Sequence, residues 1–296
     1  MNVSFSDRGF WIGTVYCVLA ALAWAIIGPV SRVCFAEGMD PASVAFWRMA
    51  ISGACFLVHA LLRGGMRASR RDFVSMVLFG AVNVSLVILS LQIAIQKSGG
   101  AIAIILMFTA PAWVAFFSRI LFHEAINSSK IMALALAMVG TSLVCLSGGS
   151  LGKEVSYVGI GCGLLSGFTY AFQFLFFTWY KDRYSTQALF AFTFIPAALV
   201  LSFFASFGPV SLHAAVALFI LSFVSTYVSY FWYGQSLRYL SPVQAAILGN
   251  LEPVVSTLLC WWIWNENFSP IGWAGCALVN VMSGYGLPDI VFGSLA

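Results

Sequence analysis

The chain has 296 residues, of which 61% are hydrophobic and only 8% charged, with a formal net charge of +4. Soluble domains carry about 25% charged residues, so a water-soluble fold is excluded; a mean hydropathy of +0.96 marks an integral membrane protein. The small positive charge needs no nucleic-acid partner, because basic residues gathered on one side of a membrane account for it.

In chain order, hydrophobic stretches of about 20 residues fall at 10–33, 42–62, 73–95, 98–121, 129–148, 156–180, 187–207, 211–236, 241–264 and 270–288. They have helix length and lack the roughly 10-residue alternation of a membrane barrel. The first is too long for a signal-peptide core and has no small-residue cleavage site, so it counts as a span. The breaks carry turn chemistry. Asp40-Pro41 follows span one, and a basic loop runs from Arg63 to Asp72. Lys97-Ser98-Gly99-Gly100 comes next, then a glycine-rich linker from Ser147 to Glu154. Lys181-Asp182-Arg183, Gly208-Pro209 and Ser241-Pro242 close the later spans. The expected fold is an all-α integral membrane protein of ten transmembrane helices.

These ten divide into two copies of one unit. Pro111 and Glu124 recur 142 positions later as Pro253 and Glu266, with Ala103/Ala245, Ile105/Ile247 and Leu106/Leu248 in the same register. Gly13, Cys17 and Ala21 before Trp24-Ala25 echo Gly159, Gly163 and Gly167 before Tyr170-Ala171. The copies are placed at 1–150 and 151–296. Five spans per copy is an odd number, so the second copy enters the membrane from the opposite side. Such inverted repeats are a recurring design of secondary transporters, with substrate bound near the midplane.

Orientation follows from lysine and arginine. With the N-terminus cytoplasmic, the inner ends hold Arg8, Arg63, Arg67, Arg70, Arg71, Arg119, Lys130, Lys181, Arg183 and Arg238, against Lys97 and Lys153 outside. Both termini are therefore expected in the cytoplasm. The seven cysteines are scattered singly and the three histidines are isolated, so neither a disulfide framework nor a metal site is expected. No phosphate-binding loop occurs, and no cofactor is expected.

The ten-span repeat, the two Pro–Glu pairs and Asp40-Pro41 followed by Arg48 resemble the drug/metabolite transporter superfamily, in its ten-helix form with two EamA-like repeats. The resemblance covers essentially the whole chain. It implies a bacterial inner-membrane exporter of small metabolites, amino acids or drugs, working by alternating access, and the chain is also similar to exporters of aromatic and other neutral amino acids. It further implies a central cavity walled by spans one, three, four, six, eight and nine, with two, five, seven and ten peripheral. The second half has no arginine where Arg48 would repeat, so any role of Arg48 belongs to one half. A monomer is compatible with this reading.

Several side chains are candidates for the transport site. Trp24 and Tyr170 are repeat-related and sit near mid-depth, where aromatics wall a pocket. Arg48, two turns inside span two, either snorkels or pairs with an acid; alternatively it draws a substrate carboxylate through an outer vestibule. Asn83, Gln173 and Asn250 are deep amides, read as interhelical glue or cavity lining, and Tyr227 is a deep aromatic of span eight. Pro111 and Pro253 interrupt spans four and nine, freeing the carbonyls of Met107 and Gly249, either as hinges or as static kinks. Glu252 is the most telling position. An ionised carboxylate at mid-span costs about 2.5–3.5 kcal/mol on insertion scales, so it should face the interior and couple transport through a proton, contact a substrate ammonium, or remain a neutral hydrogen-bonded acid. Its counterpart is Ala110. The first choice of substrate is an amino acid, including aromatic ones. A multidrug exporter of lipophilic cations is the alternative. A membrane-embedded enzyme is disfavoured because no catalytic constellation occurs in the spans.

Overall fold

The computed structural model describes residues 7–63, 65–98, 100–123, 128–147, 156–249, 251–252, 254–255, 259, 269–275 and 277–278. The regular structure of these residues is all helical, and the chain forms ten membrane-crossing helices in two inverted repeats of five. Five helical stretches meet the length and apolarity of a membrane crossing outright: Arg8–Ala36, Pro41–Leu62, Arg70–Lys97, Tyr157–Tyr180 and Leu212–Ser236.

Local chemistry sets the helix starts. Span two, Pro41–Leu62, begins at Asp40, whose carboxylate accepts from the Ser43 amide at 2.9 Å and the Ser43 hydroxyl at 2.6 Å, with Pro41 in the first turn. Ser185 and Ser211 cap span seven, Thr186–Leu201, and the first part of span eight, Leu212–Ser222, in the same manner. Ser69 accepts from the Asp72 amide where the basic loop becomes span three.

Among the described residues, four spans are interrupted. Span one breaks at Ile26 into Asp7–Ala25 and Ile27–Ala36; Pro29 has no N–H to offer the Ala25 carbonyl. Span four breaks into Gly100–Met107 and Ala110–Leu121, with Pro111 opening the second piece. There the Thr109 amide and hydroxyl turn back onto the Leu106 carbonyl at 3.2 and 2.8 Å. Spans three and eight each contain a π-helical turn, Gly80–Val84 and Phe223–Val228. Their starts are 143 residues apart, one more than the Pro111/Pro253 offset, so the two halves carry the same irregularity in the same helix.

Helix packing obeys the repeat. Span two lies on seven, four on nine, three on six and one on eight. Exchanging the two halves converts this set of pairs into itself, which is a pseudo-twofold relation. Among the described loops, those after spans one and seven meet at one end and those after spans two and six at the other. At one end, the Ser43 hydroxyl donates to the Ser206 carbonyl (2.8 Å) and Ser211 donates to Glu37 (2.6 Å). At the other, Asp72 accepts from the Tyr184 hydroxyl (2.7 Å) and Arg183 (3.1 Å).

The small-residue stripes of spans one and six allow close approach, as their four-residue spacing suggests, though not to each other. Gly163 and Gly167 sit against span four, where a Cβ on Gly167 would lie 2.6 Å from Thr109 Oγ1 and 2.7 Å from the Leu106 carbonyl oxygen. Gly13 lies against Tyr239 and Leu240, and the Cys17 thiol donates to the Ala245 carbonyl of span nine at 3.6 Å. Each stripe thus contacts the fourth helix of a repeat, span six meeting four and span one meeting nine.

Candidate functional site

Where the halves meet, the helices enclose a cavity of ≈ 50 Å³, open to the centres of water-sized molecules. The break in span one brings Trp24, Ile27 and Gly28 to its wall, and the piece of span four that ends at Met107 contributes Ile104 and Met107. Span six supplies Tyr170, span eight Tyr230 and span nine Glu252, while span three gives a row of aliphatic side chains from Val87 to Ile95. These are the six spans that the resemblance assigns to the wall. Span two, assigned to the periphery, also reaches it, through Arg48.

Arg48 is 2% exposed, the largest fully buried side chain among the described residues. Its Nε donates to Thr226 Oγ1 at 3.4 Å, and Thr226 in turn donates to the Leu221 carbonyl at 2.8 Å. Thr226 lies inside the π-turn of span eight, so that irregularity positions the cation. Arg48 Nη1 has no hydrogen-bond partner among the described residues. Glu252, half-buried, faces the same cavity within electrostatic reach of Arg48. Trp24 packs edge-on to Tyr230 with ring centroids 5.2 Å apart, and its own Nε1 is also buried without a partner among the described residues.

The structure brings Trp24, Arg48, Tyr170 and Glu252 together, Arg48 on the cavity wall and not in a vestibule. The other candidates lie elsewhere. Asn83 donates to the Thr169 carbonyl at 3.1 Å and ties span three to six. Gln173 stands behind the wall, where its Oε1 accepts from the Tyr230 hydroxyl at 3.5 Å while its Nε2 has no partner among the described residues. Tyr227 turns away, its hydroxyl hydrogen-bonded to His59 Nδ1 at 2.8 Å. Pro111 is buried at the start of the second piece of span four. Asn250 and Pro253 lie outside the described residues, as do Glu124 and Glu266.

Tyr230 was missed because span eight was read for depth, which singled out Tyr227, and depth does not tell which side of a helix faces the cavity. An i→i+5 turn takes up one residue more than an α-turn, which rotates the face of everything after Val228 by about 100°. Ile27 and Gly28 had a signal: Pro29, four residues past Ala25, marks a break near mid-span.

Two pseudo-symmetric five-span halves around a cavity with opposite charges and aromatic walls make a membrane transporter. The comparisons agree. The chain belongs to the EamA-like transporter family, whose model matches residues 11–146 and 157–281. The uncharacterized inner membrane transporter YicL of Salmonella typhimurium is 22% identical over 276 residues, covering 90% of this chain and 92% of that one. The uncharacterized transporter YdfC of Bacillus subtilis is 23% identical over 246 residues, covering 81% and 79%. An uncharacterized transporter of Archaeoglobus fulgidus is 26% identical over 269 residues, covering 90% and 93%. A solved crystal structure shares the fold at a TM-score of 0.79 and 16% identity, covering 92% of this chain and 95% of its own.

Proposed function

We propose that the protein exports small metabolites, with amino acids, aromatic ones included, as the substrate class. The observation that carries this is the meeting of Arg48 and Glu252 on one aromatic-walled cavity. A zwitterion offers each charge a partner. A lipophilic cation suits Glu252 and the rings of Trp24, Tyr170 and Tyr230, but it meets Arg48 as a like charge in a low-dielectric site, where repulsion amounts to several kcal/mol. The multidrug reading is the weaker for that reason.

In the proposed cycle the halves, residues 1–150 and 151–296, rock about the cavity, with both termini cytoplasmic and the membrane being the bacterial inner one. Protonation of Glu252 tunes the cycle. Uptake of a labelled amino-acid panel into proteoliposomes, with and without an imposed pH gradient, tests the reading. Saturable, gradient-dependent transport of selected amino acids is expected, and Glu252→Gln should flatten the gradient dependence. Transport of dye cations with no amino acid carried would replace the proposal with the multidrug one.

A further inference from the structure

We infer that Arg48 is the carboxylate anchor of the substrate, and that this substrate is an apolar α-amino acid with its carboxylate on Arg48 and Trp24 and its side chain along spans three and four. The inference rests on the amino-acid reading above and gives it an orientation.

Two residues that line the cavity, Arg48 and Trp24, each keep a buried N–H donor without an acceptor among the described residues. Arg48 is 2% exposed and Trp24 is 3% exposed, and both Arg48 Nη1 and Trp24 Nε1 have no partner among the described residues. A buried donor left unmade is costly, so such a pair marks a place for an acceptor from outside the protein. The guanidinium is already fixed. Its Nε is held by Thr226, which sets the orientation of the guanidinium on the cavity wall. A planar fork of donors is the group that best matches a carboxylate.

Glu252 on the same cavity restricts the choice further. A simple carboxylate satisfies Arg48 but sets its own charge against Glu252. A simple amine satisfies Glu252 and is repelled by Arg48. An α-amino acid, carrying both charges on one carbon, answers both. The rest of the wall is aliphatic: Val87, Ile88, Leu91 and Ile95 from span three, Ile104 and Met107 from span four. No charge lies on that side of the cavity among its lining residues, so the substrate side chain there is apolar.

The test uses purified full-length protein in detergent and follows thermal unfolding as ligand is titrated. Leucine, methionine, phenylalanine and tryptophan are compared first. The best binder is then set against its decarboxylated amine and its deaminated acid. The expected result is saturable stabilisation by the amino acid, at least tenfold weaker binding of both analogues, and Arg48→Gln losing the amino acid at least tenfold while holding the amine unchanged. Arg48→Lys, which keeps the charge without the fork, should fall between. The ligand series on the unmodified protein stands even if Arg48→Gln fails to fold. Equal binding of amino acid and amine overturns the carboxylate anchor and leaves the amino-acid reading intact. Binding of amines alone, or of none of the carboxylate-bearing ligands, overturns both.

Discussion

Replacing Gly167 by alanine tests the contact between span six and the broken span four. The added Cβ would meet Thr109 Oγ1 at 2.6 Å and the carbonyl oxygens of Leu106 and Met107 at 2.7 and 2.9 Å. The hydroxyl could swing away only by giving up its 2.8 Å bond to Leu106; the two carbonyls are backbone and cannot. Restoring a 3.4 Å contact to the Leu106 oxygen means parting the helices by about 0.7 Å. A gap of 0.5–1 Å forfeits a quarter to a half of each dispersion contact along the seam, and forced overpacking costs about 1–3 kcal/mol. Gly161→Ala is the control on the same helix, since its Cβ meets nothing within 4 Å; it should be neutral or stabilise by up to about 1 kcal/mol. Thermal unfolding of both variants in detergent, with transport measured in parallel, reads the difference. Gly167→Ala should unfold several degrees below Gly161→Ala and transport poorly, because Met107 and Tyr170 on the parted helices both line the cavity. Equal unfolding temperatures and full transport would refute the seam.

Other expectations follow from single contacts. Thr226→Val removes the partner of Arg48 Nε; a hydrogen bond to a charged group is worth about 1.5–3 kcal/mol, so substrate affinity should drop several-fold, and unchanged affinity would show that Thr226 does not position Arg48. Pro111→Ala gives span four an amide for the Met107 carbonyl; transport should fall while the unfolding temperature holds or rises, and a wild-type rate would make the break a packing feature only. At Asp40, burial pushes the carboxyl up, but hydrogen bonds from Ser43, Ser206 and Ala42 more than offset it and hold it below the ordinary carboxylate range. A carboxyl so depressed contributes stability above its unfolded value, about 3.9, and loses it as pH falls through the folded one. The advantage of wild type over Asp40→Ala in unfolding temperature, from an N-cap worth about 1 kcal/mol, should therefore be full at pH 7 and shrink towards pH 3; a constant gap would show that the charge is irrelevant.

Hydropathy and turn residues were enough to read the spans, because in a bilayer each helix satisfies its own backbone and its apolar length is set by the membrane. Trp24, Tyr170 and Glu252, which line the cavity, were legible as candidates because they are chemically out of place at mid-depth. The π-turns at Gly80–Val84 and Phe223–Val228 were not legible. No proline marks them, and their visible correlate is tertiary: a Cβ on Gly80 would stand 2.1 Å from the Thr193 carbonyl oxygen, so span three lies directly against the backbone of span seven. Tyr227 was singled out for depth alone, and depth does not tell which face of span eight, that of Tyr227 or that of Tyr230, meets the cavity. That Arg48 reaches the cavity wall was not legible for a related reason. Distance from the end of a helix gives depth but not azimuth, and the partner that turns it inward, Thr226, is 178 residues away.

The scaffold is symmetric and its charges are not. The pairs two on seven and four on nine, and three on six with one on eight, give the two halves equivalent contacts, as a carrier with two interchangeable packings requires. At an offset of 142, however, Glu252 corresponds to Ala110, and Arg48 to Phe190, a ring stacked on Phe56 at 5.0 Å and edge-on to Tyr230 at 5.3 Å. Each charge therefore has an apolar residue in its repeat-related place, and the cavity acquires a charged pole without a second copy opposite. Two such poles would accept a ligand in either direction; one pole fixes a single orientation. The aliphatic wall from spans three and four, all in the first half, completes the polarity. On the proposed reading, the inverted repeat supplies the motion and the departures from it supply the recognition.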